Sequence, residues 1–132
     1  MGLMLDTCVL ICAEKNRQEV DFDQWDVYGE VYISTITITE LLIGVYRADT
    51  QARRLKRSAF VEAIIASIPR LDFTEKEARI HAEIYAYLVE LGQIIGAHDL
   101  LIAATALTHG CALLTANHEE FTRVPGLEVI KF

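Results

Sequence analysis

Apolar residues fall into short blocks along the chain, and the spacing inside each block sets what it can form. Leu3-Met4-Leu5 is a continuous apolar run ending at Asp6, as in a buried strand. Val31-Tyr32-Ile33, Leu71-Asp72-Phe73, Ala112-Leu113-Leu114 and Glu128-Val129-Ile130 read as four more short strands. Between them the period becomes helical. A short helix is expected over Val9–Glu14. Ile38, Leu41, Leu42 and Val45 predict a helix from about Thr37 to Arg47, where Thr37-x-x-Glu40 matches a capping box. Val61, Ile64, Ile65 and Ile68 mark another, closed by Pro69. Thr74-x-x-Glu77 is a second capping box, opening a helix through Ala78, Ala82, Tyr85 and Leu88 that stops at Gly92. The run Leu100–Leu107 is almost entirely apolar, so it predicts a helix buried nearly all round and capped by Gly110. The polar and aromatic stretch 16–29, with Trp25 and Tyr28, indicates no single conformation.

Short apolar strands alternating with helices imply an α/β fold with a parallel sheet covered on both faces. Ligands of such sheets bind at the carboxyl ends of the strands. The length of 132 residues suits one domain spanning 1–132, with an apolar fraction of 52% to fill its core. No apolar stretch is long enough for a spanning helix, and the N-terminus meets Asp6 without a basic region, so a cytosolic protein is expected. Cys8, Cys12 and Cys111 have no paired spacing and read as small hydrophobes in a reducing compartment. A net charge of −7 argues against a general nucleic-acid binder, unless a carboxylate-rich metal site raises the acid count or a basic partner neutralises it.

The acids at the strand ends change the picture. Asp6 directly follows the first strand, Glu40 sits in the first turn of the helix after the second, and Asp99 in the first turn of the buried helix. Asn117, His118, Glu119 and Glu120 lie just past the fourth strand. Each has a plain structural explanation as a cap or a helix-dipole partner. Together they would crowd one sheet edge, where unpaired carboxylates repel. A divalent cation resolves the repulsion, and oxygen-only ligands favour Mg²⁺ or Mn²⁺ over zinc. That arrangement suits phosphodiester hydrolysis by an activated water.

These residues resemble a known family. Leu5-Asp6-Thr7-x-Val9-Leu10-Ile11 looks like the opening motif of PIN domains, and Ser34-Thr35-Ile36-Thr37-x-Thr39-Glu40-Leu41-x-x-Gly44 like their second. Ile95-Gly96-Ala97-x-Asp99-x-Leu101-Ile102-Ala103-Ala104 looks like their third, and Leu114-Thr115-x-Asn117-x-x-Glu120-Phe121-x-Arg123-Val124-Pro125-Gly126-Leu127 like the ending of the VapC branch. Four motifs in register cover nearly the whole chain. The resemblance implies a three-layer α/β/α sandwich on a mainly parallel five-stranded sheet. It implies a Mg²⁺- or Mn²⁺-dependent endoribonuclease acting as the toxin of a type II toxin–antitoxin pair, with RNA as substrate, a cognate antitoxin as partner and a homodimer as assembly. Carried over by position, Asp6, Glu40 and Asp99 form the acidic triad, and Thr7 and Thr115 are hydroxyl positions. Asn117 stands where many relatives have aspartate; an amide adds no charge, so Glu120 is the candidate fourth carboxylate.

Arg47, Arg53, Arg54, Lys56 and Arg57 form the one dense basic run, a candidate for RNA-phosphate contact that would otherwise be a solvated helix face. His98 has no zinc spacing, His118 reads as a turn residue, and His81 and His109 as structural. Tyr85 and Tyr87 read as helix-packing aromatics. An apolar face on the Val61–Ile68 helix would serve a homodimer or an antitoxin helix. Two other classes compete. A dehalogenase-like phosphatase needs an aspartate where Cys8 stands. A non-catalytic PIN-fold module would keep the fold for binding RNA or protein.

Overall fold

The computed structural model describes residues 1–16 and 21–132. Five strands, β1 (Gly2–Leu5), β2 (Glu30–Ser34), β3 (Arg70–Leu71), β4 (Cys111–Thr115) and β5 (Val129–Lys131), form one sheet in the order β3-β2-β1-β4-β5. All four pairings are parallel, so the sheet is wholly rather than mainly parallel. The helices are α1 (Thr7–Asn16), α2 (Thr35–Tyr46), α3 (Gln51–Ser67), α4 (Glu75–Leu91), α5 (Ala97–Thr108) and α6 (His118–Phe121).

Side-chain alternation along the strands divides the core between the two faces. Leu3, Leu5, Ile33, Ala112 and Leu114 pack with Val9, Leu10, Leu41, Val45 and Val61 of α1, α2 and α3. Met4, Cys111 and Leu113 pack with Ile84, Leu88, Ile102, Ala103 and Phe121 of α4, α5 and α6. Two helical layers therefore enclose the sheet, as the α/β/α expectation has it. Leu3, Met4, Leu5, Leu113 and Leu114 are wholly buried, each contributing roughly 1.5–3 kcal/mol of transfer free energy. This burial anchors β1 and β4, whose carboxyl ends carry Asp6 and Thr115.

Several boundaries differ from the sequence expectation for local reasons. Helix α2 starts at Thr35, not Thr37, because the Ser34 hydroxyl accepts the Ile36 N–H at 3.0 Å. Thr37-x-x-Glu40 is therefore no capping box, and Glu40 lies in the second turn, where its carboxylate is available to the sheet edge. Helix α1 is longer than Val9–Glu14, since Asp6 Oδ1 accepts the Thr7 N–H at 2.8 Å and opens it early. Helix α3 begins at Gln51, with the Thr50 hydroxyl capping Arg53 N at 3.1 Å, so the basic run lies inside this helix and the turn before it. Helix α5 starts at Ala97, β3 begins one residue earlier than expected and ends at Leu71, and β5 is displaced by one residue. The Thr74–Glu77 capping box is present, and Gly92 ends α4 in the left-handed conformation that glycine accepts freely (φ 67°). Within the stretch 16–29, Phe22–Tyr28 forms a 3-10 helix, whereas 17–20 fall outside the described residues.

Candidate active site

Asp6, Glu40, Asp99 and Glu120 come from four elements and meet at the carboxyl end of the sheet. Asp6 is 5% exposed and fully engaged: Oδ1 accepts the Thr7 N–H, and Oδ2 accepts the Thr115 hydroxyl at 2.7 Å. The Thr7 hydroxyl donates to Glu40 Oε1 at 2.8 Å and lies 3.0 Å from the Thr37 hydroxyl. One threonine thus ties the β1–α1 junction to α2. Glu120 is held from two sides, by the Gly96 N–H on Oε1 and the Asn117 amide on Oε2, both at 2.7 Å. Those donors keep its carboxyl below the usual range, Asn117 having the larger effect. The asparagine that replaces an acid therefore positions Glu120.

Asp99 is the unbalanced member. Burial, then the charges of Asp6, Glu120 and Glu40, push its pKa up to about 6, against a smaller opposing effect from His98. Asp99 Oδ2 and Glu120 Oε1 both lie within 4 Å of one point above Gly96, where a Cβ would stand. His98 Nδ1 is 3.7 Å from Glu40 Oε2. Among the described residues no three donors form a ready-made ion cage. The donor set nonetheless fits a hard divalent cation. It offers four carboxylates with excess negative charge, oxygen atoms rather than paired thiols or imidazoles, and neighbours that hold the ionised forms in place.

Cys8, read from the sequence as a small hydrophobe, also touches the site. Its Sγ lies 3.2 Å from Asp6 Oδ2 and accepts the Ala116 N–H at 3.4 Å, while the side chain also packs against the core shared with α1 and β4. Burial, reinforced by the Asp6 charge, raises its pKa and keeps it a neutral thiol. The available signal was its place in the first turn after Asp6. The basic run does not join the cleft as a unit. Arg53 pairs with Asp49 at 2.7 Å, and Arg57 reaches Glu14 Oε1 at 3.2 Å and the Gly44 carbonyl at 3.0 Å. Arg47, Arg54 and Lys56 are exposed. Of the other histidines, His81 stacks on Tyr85 and His109 Nε2 lies 3.0 Å from Glu77 Oε1.

Comparison with known proteins agrees with this fold. The model of the PIN domain family matches residues 3–127. The chain is 45% identical over 130 residues to Ribonuclease VapC1 of Rickettsia felis, covering 98% of this chain and 96% of that one. It is 34% identical over 131 residues to the tRNA(fMet)-specific endonuclease VapC of Salmonella typhimurium, covering 98% and 96%. Among solved structures, VapBC2 from Rickettsia felis bound to a promoter DNA fragment superposes with a TM-score of 0.89 at 26% identity, covering 100% of this chain and 99% of that one. The DNA-bound VapBC of Salmonella typhimurium superposes with a TM-score of 0.88 at 30% identity, covering 99% and 98%. The chain belongs to the PIN domain family, in its VapC branch.

Proposed function

We propose that the chain, working as one unit over 1–132, is an endoribonuclease that cuts RNA at the cleft of Asp6, Glu40, Asp99 and Glu120, with Mg²⁺ or Mn²⁺ held among these carboxylates. The observation that carries this reading is the convergence of Asp6, Glu40, Asp99 and Glu120 at one sheet edge, tied together by the Thr7 and Thr115 hydroxyls and the Gly96 N–H, where burial and three acidic neighbours raise the Asp99 carboxyl to about 6. A divalent ion offsets that negative charge, and when bound it acidifies a water and neutralises the phosphate oxygens. Asp6, fixed by Thr7 and Thr115, is a rigid ligand. Glu40 is oriented by Thr7, and Glu120 by Gly96 and Asn117. Asp99, in the first turn of α5, supplies the remaining carboxylate, whose charge the other acids oppose until a cation is bound.

The biological reading is the toxin of a type II toxin–antitoxin pair, acting in the cytosol as a homodimer. A cavity of about 260 Å³ between α1, α2 and α3 is lined by Ile11, Leu41 and Val61, by Glu14 and Glu40, and by Lys15 and Arg57, of which Arg57 is paired with Glu14. A basic antitoxin segment seated there would reach an active-site carboxylate and pair with it. The Val61–Ile68 face is largely spent on the core, since Val61 is buried and Ile64, Ile65 and Ile68 pack against it. Exposed apolar side chains lie instead at Tyr46 and Leu55, and on the opposite layer at Tyr87, Leu91 and Ile94. No described helix is long and apolar enough to cross a membrane.

The test is cleavage of RNA by purified protein in Mg²⁺ or Mn²⁺, beside an Asp6→Asn control and a chelated sample. Transfer RNA is the first substrate to try, given the name of the Salmonella relative. Cleavage that survives chelation, or that equals the parent's in the control, would overturn the assignment. RNA bound but uncut by the metal-loaded parent would favour the binding module instead.

A further inference from the structure

A second feature of the same sheet edge has no counterpart in the carboxylate cluster. Past the end of β4, Ala116, Asn117, His118 and Glu119 form a cavity of about 310 Å³ with Lys131 of β5. That volume is at the lower end of small-molecule sites, enough for part of one nucleotide. The register places it beside the cleft. Leu5 pairs with Leu114, and the next residue, Asp6, donates its N–H to Leu114 O at 2.9 Å. Thr115 pairs with Lys131. Asp6, Thr115 and Lys131 therefore form one row across three neighbouring parallel strands, so the Lys131 backbone lies about 10 Å, or two strand spacings, from that of Asp6. Alternation puts Lys131 on the side of Val129, which packs with the α4–α5 core, and this is the side on which Asp99 stands.

Lys131 is exposed, and among the described residues it has no carboxylate within ion-pair distance. Other cations are engaged or distant: Arg123 donates to the Ile94 carbonyl at 3.3 Å and acts on the Glu120 carboxylate, Arg53 and Arg57 are committed to Asp49 and Glu14, and Arg47 lies twelve residues beyond Thr35, roughly 18 Å along the α2 axis from the sheet edge. We infer that this cavity is a substrate subsite, in which Lys131 holds a backbone phosphate of the RNA strand next to the one being cut, with the attached nucleotide resting against Asn117 and His118. The inference rests on the nuclease reading and adds to it a place for the strand. An acidic cleft needs such a contact, because without it the carboxylates repel every phosphate except the one a cation draws in.

The experiment compares Lys131→Ala and Lys131→Arg with the parent, using single-stranded oligoribonucleotides that the parent cleaves. A phosphate contact made equally in ground and transition states predicts that Lys131→Ala raises KM about tenfold and leaves kcat within about twofold. Lys131→Arg restores KM. The slope of log kcat/KM against log salt becomes shallower by about 0.7 in Lys131→Ala, the value for one single-strand phosphate contact. A neutral methylphosphonate beside the scissile linkage raises KM for the parent and not for Lys131→Ala. Unchanged KM and salt slope in Lys131→Ala overturn the subsite while leaving the nuclease standing. A fall in kcat with KM unchanged, or altered Mn²⁺ affinity, also overturns it, because Lys131 would then act on the metal centre. A parent that cleaves no RNA with either ion overturns the nuclease reading, and the subsite with it.

Discussion

Thr115 is wholly buried between Asp6 and Asn117, giving its hydroxyl proton to Asp6 Oδ2 and accepting the Asn117 N–H at 2.9 Å. Thr115→Val keeps the shape but leaves a carboxylate oxygen and a backbone N–H each short of a partner. The expected cost is about 1–3 kcal/mol in urea unfolding, together with a lower affinity for the activating metal. At Asp99 the sign reverses. Its carboxyl, raised to about 6 from an ordinary 3.8, binds a proton more readily folded than unfolded. Metal-free stability therefore falls as pH rises from about 4 through 6, and the charged side chain opposes folding above that range. Asp99→Asn should raise the melting temperature in chelated buffer at pH 7 and lose most of that gain near pH 4. The same substitution should cut nuclease activity on the order of 100-fold or more, the scale of losing one charged contact to a transition state. Parent-like activity would remove Asp99 from the site.

At the scale of elements, the long apolar signals were legible and the junctions were not. Leu3-Met4-Leu5 and Ala112-Leu113-Leu114 announced β1 and β4, because a strand buried on both faces admits no polar residue. The apolar run of α5 and the Thr74–Glu77 box read equally directly. The start of α2 did not, since Ser34, Thr35, Thr37 and Thr39 are all competent caps and only backbone geometry chooses Ser34. Ser34→Ala should cost about 1 kcal/mol of stability in urea unfolding and loosen the turn that sets Glu40. That Asp6, Glu40, Asp99 and Glu120 come together was legible from the strand ends and helix starts they occupy, but the Asn117–Glu120 hydrogen bond and the approach of Cys8 to Asp6 depend on loop paths that periodicity does not encode. The basic run shows the same limit. Sequence density grouped five cations, yet Arg57 serves as a strut, joining α3 to Glu14 of α1 and to the Gly44 carbonyl of α2. Arg57→Ala should cost about 1–2 kcal/mol, and Arg57→Lys should recover little of it, because an ammonium cannot span two acceptors as the planar fork does. Arg54 and Lys56 remain exposed; if they contact RNA, charge reversal at both weakens binding without changing unfolding, and an unchanged KM would mark them as a solvated face.

For the whole molecule, the proposed metal site would make folding and cation binding one equilibrium. A cation that binds the folded chain and not the unfolded one stabilises it by RT ln(1 + [L]/Kd), about 2.7 kcal/mol at a hundred times Kd. Mn²⁺ added to chelator-treated protein should therefore raise the melting temperature in proportion to the logarithm of its concentration. The effect should depend on pH in a defined direction. Above pH 6 Asp99 is ionised and repelled by Asp6, Glu120 and Glu40, so the ion gains a ligand and relieves strain in the same step. Below pH 6 a proton occupies Asp99 and competes with the ion, so the stabilisation at fixed Mn²⁺ should shrink between pH 7.5 and pH 5. Concentrated monovalent salt should raise the melting temperature of metal-free protein slightly, by screening the partly exposed acids, while weakening the response to Mn²⁺. In Asp99→Asn both the pH dependence and most of the Mn²⁺ response should disappear. A melting temperature that ignores Mn²⁺ at pH 7.5, or that rises equally at pH 5, would mean that the four carboxylates balance one another without an ion.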